Sequence, residues 1–115
     1  MKKDLIKLLD YSTPEILALL DKADALKESK AKTRLDLKGK TVGLVFQKPS
    51  NRTRVSFEVG VHQLGGNCIY LGPEEINLGK RESTADVART LSRYLDAIVA
   101  RVFHNQDVVD LAKYA

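Results

Sequence analysis

Apolar positions along this chain switch between two spacings, and the switches mark its elements. Ile16, Leu19, Leu20, Ala23 and Leu26 recur at intervals of three and four, the period of an α-helix. Ser12-Thr13-Pro14-Glu15 precedes them as a capping box with proline in the first turn. The pattern fades into polar residues 28–34. Thr41-Val42-Gly43-Leu44-Val45-Phe46 is then a short, nearly unbroken apolar run, which predicts a strand covered on both faces and stopped by Pro49. A second helix is expected from near Thr53, with Phe57, Val61 and Leu64 on one face and Gly65-Gly66 as its terminator. Asn67-Cys68-Ile69-Tyr70-Leu71 reads as a second strand, followed by a polar loop over residues 72–83. Ser83 with Asp86 marks another helix start, and Val87, Ala88, Leu91 and Leu95 form the stripe to be buried. Residues 96–102 read as a third strand. Asn105 or Gln106 opens a last helix carrying Val108, Val109, Leu111 and Ala112.

The alternation of helix and strand with short links implies an α/β fold: an open parallel sheet of about three strands, flanked by helices and joined by right-handed crossovers. Three strands are few for such a sheet, and the chain ends on a helix where a further strand is expected. The pattern therefore predicts a piece of a longer protein, or a deliberately trimmed one. With 115 residues there is room for one domain and one modest core.

Composition changes this picture little. The chain is 43% hydrophobic and 30% charged, the balance of a folded globular protein, and its apolar runs are too short to span a membrane. A single cysteine, Cys68, precludes an intrachain disulfide and suggests a reducing, cytoplasmic setting. The net charge of +4 is uneven: residues 1–57 hold 13 Lys/Arg against 7 Asp/Glu, residues 58–115 hold 6 against 8. Part of the excess lies in the lysines of residues 27–40. No aromatic is interleaved with them, so they read as a solvated helix end rather than a nucleic-acid platform.

The remaining charge falls where chemistry is expected. Ser50-Asn51-Arg52-Thr53-Arg54 follows the first strand, and ligands of open parallel sheets sit beyond the carboxyl ends of the strands. The segment also leads into a helix, whose free N–H groups and dipole favour an anion. It supplies two hydroxyls, an amide and two guanidinium forks suited to phosphate oxygens, and no carboxylate. The plain alternative is a Ser-Asn cap with the arginines paired to Glu58 or other surface acids. The Lys-Ser/Thr ending of a nucleotide P-loop is missing, which favours a smaller phosphate compound.

Phe46-Gln47-Lys48-Pro49-Ser50-Asn51-Arg52-Thr53-Arg54-Val55-Ser56-Phe57-Glu58 resembles the carbamoyl-phosphate signature of the aspartate/ornithine carbamoyltransferase family. Gln63-Leu64-Gly65-Gly66, Leu78-Gly79 with Glu82-Ser83, the run Asp86-Val87-Ala88-Arg89-Thr90-Leu91-Ser92-Arg93-Tyr94, and Asp96-Ala97-Ile98-Val99-Ala100-Arg101 resemble it too. The Lys-Pro-Ser opening and the Asp86–Arg93 run are more similar to the ornithine branch than to the aspartate branch.

The resemblance implies that Ser50, Asn51, Arg52 and Thr53 hold the phosphate of carbamoyl phosphate, with Arg54 in the motif but mainly bracing the loop. It implies that Arg101 reaches the phosphate and the carbamoyl oxygen, and that Asn77 contributes a polar contact from a loop often offered to a neighbouring subunit of a trimer. Arg52 and Arg101 are the implied catalytic residues, with no metal and no cofactor. Asn51 stands where the family usually has threonine, and Asn77 where it often has glutamine. By the same resemblance, residues 1–115 form part of a carbamoyl-phosphate-binding domain. The His-Pro-x-Gln motif and the amino-acid-binding domain are expected beyond Ala115, so this chain alone is expected to bind phosphate weakly and not to turn over. A non-catalytic folding or assembly module with a relic anion site is the alternative.

Other residues with reactive side chains read as structural. His62 and His104 have no metal-ligating partner at suitable spacing, Cys68 is a small residue in a strand, and Lys80-Arg81 reads as a solvated loop tip, the alternative being that it draws in an anionic substrate or meets a partner subunit.

Overall fold

The computed structural model describes residues 4–29, 34–76 and 83–115. They fall into two compact units, Met1–Lys32 and Thr33–Ala115. Asn77, Lys80 and Arg81 lie outside the described residues, as do residues 30–33 of the polar connection.

In the first unit a 3-10 turn at Leu8–Asp10 precedes helix α1, Thr13–Glu28. The predicted capping box forms: Glu15 N–H donates to Ser12 Oγ at 3.3 Å, and Ser12 N–H donates to Glu15 Oε1 at 2.9 Å. No residue of α1 is buried, and Leu17, Leu19 and Leu20 are exposed.

The second unit holds β1 (Thr41–Phe46), α2 (Asn51–Gln63), β2 (Asn67–Leu71), α3 (Thr84–Ser92), β3 (Ala97–Arg101) and α4 (Asn105–Tyr114). The sheet order is β2-β1-β3 and every pairing is parallel. The unbroken apolar run became the central strand, with residues 42–46 all buried. Side chains alternate across a strand, so β1 feeds two cores. Val42, Leu44 and Phe46 pack with Val61 of α2 and with Cys68, Tyr70 and Val99. Val45 faces the other way, against Val87 and Ala88 of α3 and Leu111 of α4, with Ile98 and Ala100 alongside. The crossover α2 therefore covers one face of the sheet, and α3 and α4 cover the other. Gly43 lies on the α3–α4 face, where a β-carbon would run into the Leu95 side chain.

Several boundaries differ from the sequence reading, among them the end of α3, which stops at Ser92 before Leu95 of the predicted stripe. Helix α2 begins at Asn51, two residues earlier than expected, because Ser50 takes the N-cap position with extended backbone. Strand β3 is shorter than residues 96–102 by one residue at each end. Asp96 leaves the strand to tie its amino end to β1: its N–H donates to Thr41 O at 2.9 Å, and its Oδ2 accepts from Thr41 N–H at 2.8 Å. Gly65 ends α2 as predicted, at φ +86°, and a β-carbon there would sit 2.8 Å from Arg34 O.

Candidate functional site

The chain leaves β1, crosses through α2 to β2 on one side, then crosses through α3 to β3 on the other. The direction of winding thus reverses between β1 and β3, and the crevice at their carboxyl ends is the switch point where such sheets bind ligands. Residues 50–54 enter it from β1, and Arg101 is the last residue of β3. Phe46 pairs with Arg101 in register. Phe46 and Val99 belong to the core under α2. By alternation Arg101 is on that same face, the face that also carries the α2 N-terminus.

That N-terminus offers unused donors. Its first backbone hydrogen bond inside the helix runs from Arg54 N–H to Ser50 O, 3.0 Å. Among the described residues, no backbone or side-chain oxygen accepts from the N–H groups of Asn51, Arg52 and Thr53 ahead of it. The Ser50 hydroxyl does not cap them. It donates instead to Thr53 Oγ1 at 3.0 Å, which leaves the Thr53 hydroxyl proton free to point elsewhere. The other two serine N-caps behave differently: Ser12 Oγ and Ser83 Oγ accept from the amides of Glu15 and Asp86. Ser50 and Thr53 are half-buried, while Asn51 and Arg52 are exposed.

The arginines divide by environment. Arg54 Nε donates to Glu58 Oε1 at 2.7 Å, and its guanidinium lies 3.8 Å from the centroid of the Tyr70 ring. Tyr70 in turn meets Phe46 edge to face, with centroids 5.5 Å apart. The Glu58 hydrogen bond holds the Arg54 pKa above its ordinary value. Arg54 is thus anchored to α2 and the sheet, as the plain reading allowed. Arg52 and Arg101 form no ion pair among the described residues, and both are exposed.

One residue in the motif run had no role assigned from sequence. Gln47 N–H donates to Arg101 O at 2.8 Å, and Gln47 Oε1 accepts from Phe103 N–H at 3.0 Å. A polar side chain just past a buried strand was the only signal for it. The other motif matches serve packing. Val87 and Ala88 of α3 are buried against β1, and Arg89 lies over the Tyr114 ring at 4.7 Å. Thr84, buried at the start of α3, donates to Asp107 Oδ1 of α4 at 3.3 Å. His62 is exposed near the end of α2, and His104 is the N-cap of α4 without a side-chain bond. Among the described residues, no three His, Cys, Asp or Glu side chains gather as a metal site would require, and no helix is long and apolar enough to cross a membrane.

A family model described as aspartate/ornithine carbamoyltransferase, carbamoyl-P binding domain, matches residues 3–115. The chain is 54% identical to the chloroplastic ornithine carbamoyltransferase of Pisum sativum over 116 residues, which cover 98% of this chain and 31% of the relative. Its structure superimposes on ornithine carbamoyltransferase from Pyrococcus furiosus with a TM-score of 0.93 at 50% identity, covering 98% of this chain and 37% of the other. The enzyme from Thermus thermophilus gives 0.91 at 43% identity, covering 100% and 40%. The chain spans about a third of the length of the curated relatives it matches. With the signature segment at the switch point and the match running through both units, the chain belongs to the aspartate/ornithine carbamoyltransferase family and corresponds to its carbamoyl-phosphate binding domain.

Proposed function

We propose that this chain supplies the carbamoyl-phosphate site of an ornithine carbamoyltransferase, in which the side-chain amine of ornithine attacks the carbamoyl carbon and phosphate leaves, giving citrulline. The observation that carries the reading is the α2 N-terminus: three backbone N–H groups with no acceptor among the described residues lie at the end of β1 that is paired in register with Arg101. The phosphate takes these N–H groups and the Thr53 hydroxyl. Asn51 adds its amide, and Arg52 and Arg101 add permanent charge. Asn77 belongs to the proposed substrate contacts through the family resemblance alone. Arg54 supports the site from behind, since Glu58 and Tyr70 engage its guanidinium.

Catalysis in such a site is positioning plus stabilisation of charge on the departing phosphate and the carbonyl oxygen, work assigned to Arg52 and Arg101. The ornithine branch is favoured by relatives that carry that name. The physiological setting proposed with it is arginine biosynthesis in a cytoplasmic enzyme that is a homotrimer or built from trimers. The 115-residue chain by itself binds the anion without turnover, because it spans only a third of such an enzyme.

Calorimetric titration of the folded chain with carbamoyl phosphate and with inorganic phosphate tests this. Both bind, Arg52→Ala weakens both about tenfold through the loss of charge-assisted hydrogen bonds, and added ornithine yields no citrulline. Absence of binding, or an Arg52→Ala chain that binds as well as the original, contradicts the proposal.

A further inference from the structure

We infer that Gln47 is a positioning residue for this site: it holds the Arg101 end of β3 against the end of β1 that carries residues 50–53. The inference rests on the reading of Arg101 as a phosphate ligand. Phe46 and Arg101 are the last pair in register between β1 and β3. One rung further, a parallel ladder would take Gln47 N–H to Arg101 O and return Phe103 N–H to the Gln47 backbone carbonyl. The first of these bonds is made, at 2.8 Å. The second is diverted: Phe103 N–H goes to the Gln47 side-chain oxygen, at 3.0 Å.

The diversion has a consequence for geometry. A backbone carbonyl can accept the last rung only while β1 continues straight beside β3. A side-chain oxygen can accept it after the β1 backbone has turned off. Here the backbone turns at once, through Lys48 and Pro49, to place Ser50 at the head of α2. Gln47 therefore lets the two strand ends part while bonds on either side of Val102 keep β3 fixed. Arg101 stands at the edge of that bracket, with its own carbonyl as one of the two anchors. An exposed arginine at a strand end is otherwise free to shift with its backbone, and phosphate affinity depends on where its fork is held.

The sheet carries its own control. At the opposite end of the same strand pair, Asp96 ties β3 to Thr41 by an equivalent backbone-plus-side-chain bracket. That tie lies at the amino ends of the strands, away from the crevice. A role confined to sheet stability would make Gln47 and Asp96 equivalent.

A double-mutant cycle read by calorimetry with inorganic phosphate tests the assignment. Gln47→Met keeps the length of the side chain and removes the acceptor. It is expected to weaken phosphate binding three- to tenfold and to expose the Phe103 amide to hydrogen exchange. Gln47→Glu keeps an acceptor oxygen and keeps that amide protected. Combined with Arg101→Ala, Gln47→Met produces no further loss of affinity, because its effect passes through Arg101. Asp96→Ala lowers the melting temperature and leaves phosphate affinity unchanged. Gln47→Thr, too short to reach Phe103, takes the place of Gln47→Met should that chain not fold. Losses that add fully in the double variant, or an Asp96→Ala chain that loses as much affinity as Gln47→Met, overturn the positioning role and leave the phosphate site standing. An Arg101→Ala chain that binds phosphate normally removes the positioning role together with the reading of Arg101 as a phosphate ligand.

Discussion

Among the described residues three serines stand at helix N-caps, and what each does with its hydroxyl separates structure from site. The Ser12 and Ser83 hydroxyl oxygens accept from the amides of Glu15 and Asp86, whereas the Ser50 hydroxyl donates to Thr53 Oγ1 and caps no amide of α2. Ser83→Ala should therefore cost about 1 kcal/mol of stability. Ser50→Ala should leave thermal unfolding nearly unchanged while weakening phosphate binding several-fold. Paired melting curves and titrations check this, and equal destabilisation by the two substitutions would contradict it. The sequence singled out this segment, and the family resemblance set Arg54 apart as a brace of the loop. The segment read alone leaves Glu58 open to either arginine; that Arg54 takes it and also lies on Tyr70, while Arg52 forms no ion pair among the described residues, is decided by the fold, which brings Tyr70 to the cluster. Burial pushes the Cys68 thiol up, with the Glu58 carboxylate adding to the effect, which suits a packing residue and not a nucleophile.

At the scale of elements, local chemistry was legible wherever one residue type had one purpose. The capping box, the buried run of β1 and the glycine stop of α2 all form where the pattern put them. Boundaries set by tertiary contacts were not legible. Asp96 reads as the first residue of a strand, yet its side chain closes the β1–β3 pair from outside the strand. Gln47 reads as an unremarkable polar residue after a strand, although its oxygen replaces a ladder carbonyl. Gly65 makes the element-level account testable. Its positive φ and the nearby Arg34 carbonyl both oppose a side chain, so Gly65→Ala should destabilise the second unit by about 1–3 kcal/mol. Urea unfolding measures this. A change under about 0.3 kcal/mol would show that the α2–β2 turn relaxes in a way the φ +86° geometry does not suggest.

At the scale of the molecule, the order of elements along the chain does most of the work. Alternating helices and strands dictate a parallel sheet, and the β2-β1-β3 order places a winding reversal between β1 and β3. Their carboxyl ends then face one crevice, with a helix N-terminus beside it. Strand order is not written in hydrophobic spacing. The sequence pattern could say that two strand ends carry cations, but only the family resemblance and then the fold bring Arg101 to the face that α2 covers. The central claim is that an anion sits on the first turn of α2, and an amide-resolved NMR titration of the folded chain with inorganic phosphate tests it most directly. The amides of Asn51, Arg52 and Thr53 should shift most, together with those flanking Arg101, while the capped first turns of α1 and α3 stay still. Largest shifts at those capped turns, or a uniform response across the lysine-rich surface, would contradict it.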